Sequence, residues 1–123
     1  MTKKLAALAF VALLSLGAGA LAHAPEKGKH GGQQTDAGNY HVEAVARGNT
    51  LEVFVTDHGE KPVSTKGFKG TAVLVVNGKA QRISLAPKGD NVLIGTSPVE
   101  LKAPLRGAVQ ITNDSNETVQ AKF

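Results

Sequence analysis

The sequence predicts an all-β fold, a small antiparallel β-sandwich or barrel of about seven strands. From Tyr40 onward, short runs rich in β-branched residues alternate with turn signals at intervals of about ten residues. Two of those signals, Gly48-Asn49 and Asn77-Gly78, separate runs of matching length. No segment of this region carries a helical period long enough to compete.

The predicted strands lie near 40–47, 50–57, 71–76, 79–86, 91–95, 107–112 and 117–123. Gly48-Asn49 joins the first two, with glycine supplying positive φ at the first turn position. The register that follows sets Arg47 opposite Thr50, Ala46 opposite Leu51, Ala44 opposite Val53 and Val42 opposite Val55, and these small and branched residues form the inward stripe. Asn77-Gly78 is the strongest short-range signal for a type I′ turn. It pairs Val76 with Lys79, Leu74 with Gln81 and Ala72 with Ile83, so Leu74, Val76, Ile83 and Leu85 share the core face. Val109 and Ile111, then Val119, Ala121 and Phe123, alternate with polar neighbours around a turn at 113–116.

The chain ahead of these strands reads as two further segments. Met1-Thr2-Lys3-Lys4, the apolar run Leu5 to Leu16 and the small-residue tract ending Ala20-Leu21-Ala22 follow the order of a cleaved secretory signal. The apolar run is shorter than the roughly 20 residues that span a bilayer. Cleavage after Ala22 makes His23 the first mature residue and implies a periplasmic location, with no membrane association once the signal is removed. Residues 23–38 are polar, glycine-containing and without a hydrophobic anchor, as in a flexible leader. The β-domain is then 39–123.

Taking residues 1–22 from 123 leaves 101, enough for one core and one domain. Loss of Lys3 and Lys4 lowers the formal charge from +4 to +2. With no basic run and no aromatic residues interleaved with arginine, nothing supports a nucleic-acid partner. Cysteine is absent and the single Met is the initiator. Disulfides and Met-rich Cu(I) sites are thereby excluded, and a metal must be held by His, carboxylate or backbone ligands. The chain lacks Gly-x-Ser-x-Gly, His-Glu-x-x-His, a phosphate loop and a Cys nucleophile, so it is not expected to be an enzyme.

Four histidines remain: His23, His30, His41 and His58. In the register set by Gly48-Asn49, His41 faces Thr56 on the outward stripe with Glu43, Val45, Glu52 and Phe54, and His58 extends that face by one step. Diagonal neighbours of this kind lie about 7–8 Å apart at the backbone, so the two imidazoles can converge on one cation. Glu43 or His30 would supply a further ligand. His23, once at the N-terminus, can chelate through its α-amine and ring, an arrangement suited to Cu(II). The bland reading is a solvated strand face and an Asp57-His58-Gly59 turn chosen for geometry alone.

The stretch His30-Gly31-Gly32, then Gly38-Asn39-Tyr40-His41-Val42-Glu43, then Leu51 to Val63 with its Asp57-His58-Gly59-Glu60-Lys61-Pro62-Val63 end, resembles a small module of bacterial heavy-metal efflux systems. Gly70-Thr71-Ala72, Pro87-x-Gly-Asp90-Asn91 and Leu93-x-Gly95 fit the same text, so the resemblance covers about residues 30 to 123. It implies a periplasmic β-domain that handles a metal cation as a buffer or carrier, with a periplasmic efflux adaptor as partner and His30 and His58 among the ligands. The lack of Met and of a dense His cluster argues against monovalent copper or silver. Cu(II) or Zn(II) is the expected cation, with Ni(II) and Co(II) open. The alternative is a metal-free interaction domain that docks an envelope or pump partner by strand addition.

Overall fold

In the computed structural model, which describes residues 25–123, every strand pairing is antiparallel and the nine strands make one sheet curled into a half-barrel. They are β1 (Glu26–Lys27), β2 (Gln33–Ala37), β3 (Tyr40–Arg47), β4 (Thr50–Asp57), β5 (Lys69–Val76), β6 (Lys79–Pro87), β7 (Val92–Thr96), β8 (Gly107–Thr112) and β9 (Thr118–Lys122). Their order across the sheet is β1-β2-β3-β4-β7-β6-β5-β8-β9. The all-β class holds. The strand number is nine rather than about seven, and the sheet is continuous because β6 serves both halves. Its Lys79–Leu85 stretch pairs with β5, whereas Ala86 and Pro87 pair with Ile94 and Leu93 of β7.

Both predicted hairpins have the expected register. Across Gly48-Asn49, Arg47 faces Thr50, Ala44 faces Val53 and His41 faces Thr56. Across Asn77-Gly78, Val76 faces Lys79 and Ala72 faces Ile83, with φ of 52° at Asn77 and 78° at Gly78 as a type I′ turn requires. Alternation then decides burial: Val42, Leu51, Val53, Val55, Ala72, Leu74, Leu93, Val109, Ile111 and Ala121 are sealed in the core. Val119 and Phe123 pack against it.

The flexible leader expected over 23–38 is corrected over its described part, 25–38. Gln33–Ala37 pairs with β3 from Gln33↔Ala44 to Ala37↔Tyr40, and Glu26–Lys27 pairs with β2. The strand lacks an apolar stripe, and what fixes it is the turn Gly38-Asn39, a second Gly-Asn ten residues before Gly48-Asn49, with Gly38 at φ 59°. The loop between β1 and β2 folds back over the outer face of β3. The stripe read as solvated is therefore covered in part, and Glu43 and Val45 are buried.

The two ends of the strand order come together without a backbone ladder. Gly38 packs on Val119 of β9, and the Asn113 amide nitrogen donates to the Tyr40 hydroxyl at 3.0 Å. The Gln33 carboxamide bonds both the N–H and the C=O of Leu105, standing in for a strand partner. Among the described residues no helix is long and apolar enough to cross a membrane.

Candidate metal centre

β3 starts at Tyr40, so His41 lies at its open end, between Asp36 of β2 on one side and Thr56 of β4 on the other. His58 follows β4 in a turn that its neighbours hold in place. The Asp57 carboxylate accepts the Gly59 N–H at 2.8 Å and the Lys61 N–H at 2.9 Å, and the Asp57 N–H donates to the Lys61 carbonyl at 2.9 Å. The Lys61 N–H holds the Asp57 carboxyl below the usual carboxylate range, helped by the Gly59 N–H and the charge of Lys61.

The turn brings His58 onto His41. His58 Nδ1 is 3.0 Å from His41 Nε2, with the rings edge to face and centroids 4.7 Å apart. Asp36 Oδ1 is 3.3 Å from the same His41 nitrogen. One ligand atom from each of Asp36, His41 and His58 lies within 4.8 Å of the others. Three donors around a tetrahedral Zn(II) at about 2.0 Å are roughly 3.3 Å apart, so small side-chain shifts would bring this set into coordination. Two imidazoles and one carboxylate leave at least one position open for water or a donor from a partner.

The hydrogen-bond partners set the ring tautomers. His58 Nε2 is 3.2 Å from the Gly38 carbonyl, which can only accept, so Nε2 carries the proton and the Nδ1 lone pair faces His41. On the far side of His41, the Gln34 carboxamide is 3.5 Å from Nδ1. The carboxamide nitrogen faces the ring and donates to Nδ1, so His41 Nε2 carries the proton shared toward His58 Nδ1 and Asp36, and a bound cation would take that proton's place. His41 is 18% exposed and Asp36 60% exposed at the side chain, so the cluster opens to solvent.

The shared face of His41 and His58 is as the hairpin register predicts. The further ligands are not. Glu43 is 3% exposed and turns away from the cluster, under the β1–β2 loop. Its carboxylate accepts the His30 N–H at 2.9 Å and the Gly32 N–H at 2.8 Å, while its other oxygen meets His30 Nδ1 at 2.8 Å. The His30 ring stacks on Phe54, with centroids 3.7 Å apart and planes within 6°. His30 and Glu43 thus pair with each other in a closed, hydrogen-bonded latch, and Asp36 takes the place expected of them. Asp36 was hidden in the polar run Gln33-Gln34-Thr35-Asp36-Ala37; the Gly38-Asn39 turn, read as a hairpin, sets it opposite His41. His23 lies outside the described residues.

In comparisons with protein-family models, curated proteins and solved structures, nothing matches this chain.

Proposed function

We propose that this protein binds a divalent transition-metal cation, Zn(II) or Cu(II), and acts as an exported periplasmic buffer or carrier for a heavy-metal efflux system, with no covalent chemistry of its own. The observation that supports the reading is the convergence of Asp36, His41 and His58 on one solvent-open point from three separate chain segments. A ligand set with an open position suits a carrier, because an ion held by three protein groups can pass to a receiving site through an intermediate that shares ligands. The efflux association rests on the resemblance, and the export on residues 1–22.

Calorimetric titration of the exported protein with Zn(II) and Cu(II) tests this. We expect binding tighter than about 10 µM, weakened at least about tenfold by each of Asp36→Ala, His41→Ala and His58→Ala, unchanged by Glu43→Gln, and falling on acidification as protons compete for the imidazoles. The intact mass of that preparation should begin at His23. Affinity indifferent to all three substitutions would remove the metal reading, and a retained residue 1–22 segment would remove the export reading.

A further inference from the structure

Charge divides between the two halves of the sheet. β2, β3 and β4 carry four acids, Asp36, Glu43, Glu52 and Asp57, against the single cation Arg47. β5, β6, β8 and β9 carry Lys69, Lys79, Arg82 and Lys122 and no acid at all. On the outward face of this second half, one rung reads Arg82, Val73, Ala108, Lys122 across β6, β5, β8 and β9. Val73 is 37% and Val75 50% exposed, the Val75 N–H bonds the Arg106 carbonyl at the end of the patch, and Ala80 lies opposite Val75. Among the described residues, Arg82, Lys122 and Arg106 enter no ion pair, whereas Arg47 is held by Glu52 and Lys29 by Glu60.

We propose that this face is a docking surface for an extended, acidic segment of a partner protein, laid across the strands of β6, β5, β8 and β9. The argument is one of charge and spacing. Strands are about 4.8 Å apart, so the Arg82 and Lys122 positions at the two ends of the rung are separated by roughly 14 Å. In an extended segment, residues i and i+4 are about 13 Å apart and face the same way as i+2. A segment with acids at i and i+4 and an apolar residue at i+2 therefore sets one carboxylate on Arg82, one on Lys122 and its apolar side chain on Val73 and Ala108. Crossing strands in this manner is the geometry of orthogonal sheet packing. A second copy of this chain is a poor occupant, because no two of its ten acids stand at i and i+4. The proposal is independent of the metal reading.

The test is a fluorescence titration of the full chain with a labelled nine-residue peptide, Glu-Ser-Val-Ser-Glu-Ser-Val-Ser-Glu, which in extended form puts glutamates at i and i+4 and valine at i+2 on one face. Saturable binding is expected, weaker by at least about tenfold for Arg82→Glu, Lys122→Glu and Val73→Asp, and unaffected by Lys88→Glu, a cation of the β6–β7 loop. All four positions are exposed, and circular dichroism confirms the fold of each variant. No binding, an equal loss with Lys88→Glu, or equal binding of the same peptide with lysines in place of its glutamates would overturn the proposal. So would a preference for anionic lipid vesicles that survives Val73→Asp, or self-association in sedimentation that Arg82→Glu abolishes while the peptide stays unbound.

Discussion

Glu43 sits at an outward position of a strand and is nonetheless 3% exposed, because the loop over it turns backbone N–H groups and a His ring toward its carboxylate. A buried carboxylate is tolerated where each oxygen is hydrogen-bonded, and its removal leaves the donors stranded. Glu43→Ala should therefore cost about 2 kcal/mol or more in chemical denaturation, chiefly by releasing the β1–β2 loop, whereas Glu43→Gln, which keeps one acceptor for the His30 and Gly32 N–H groups, should cost less. A neutral Glu43→Ala would mean that the loop is not held by this carboxylate. At this scale the sequence told part of the story. His41 and His58 were legible as a pair since a two-residue turn fixes every facing position of its hairpin. Glu43 was legible as an outward residue, but nothing in its neighbours along the chain announces a cover contributed by residues 28–32.

The hairpins themselves were the most legible elements. Asn77 and Gly78 both adopt positive φ, a region that β-branched side chains avoid. Gly78→Val should destabilise the protein by more than about 1 kcal/mol in thermal or denaturant melts, although nothing lies within 4 Å of where the new Cβ would stand. The cost is conformational rather than steric crowding by neighbours, so an unchanged midpoint would show that the turn differs from type I′. β2 is not legible in its own residues, because Gln33-Gln34-Thr35-Asp36-Ala37 offers no apolar alternation; its place is set by Gly38-Asn39 and by hydrogen bonds to β3, a signal carried by the turn and not by the strand. Asp36 and the candidate Asp36-His41-His58 group are illegible for the same reason.

For the whole molecule, antiparallel β structure was readable from turn spacing, but the choice between two packed sheets and one curled sheet was not. That choice lies in how β6 spans from β5 to β7, a long-range pairing that local pattern does not encode. The charge division between the halves has the same origin, since it emerges only when β8 and β9 are placed beside β5. The seam between the ends of the sheet depends on side chains, above all on Gln33 and its two bonds to Leu105. Gln33→Ala should accelerate amide hydrogen exchange in β1, β2 and the 103–106 segment while the β5–β6 amides keep their protection. Uniform acceleration would indicate that the seam is no separate unit.

A single continuous sheet has only two strand edges. Here one of them is β1, two residues long and built of Glu26 and Lys27, and the other is β9, which carries Lys122 and lies against the β2–β3 turn. Short, charged or covered edges are those on which other chains fail to pair, so the fold resists edge-to-edge aggregation. Under the proposed buffering role, the protein would hold ions one for one and work at concentrations comparable to its cargo, where edges that do not recruit other chains matter most.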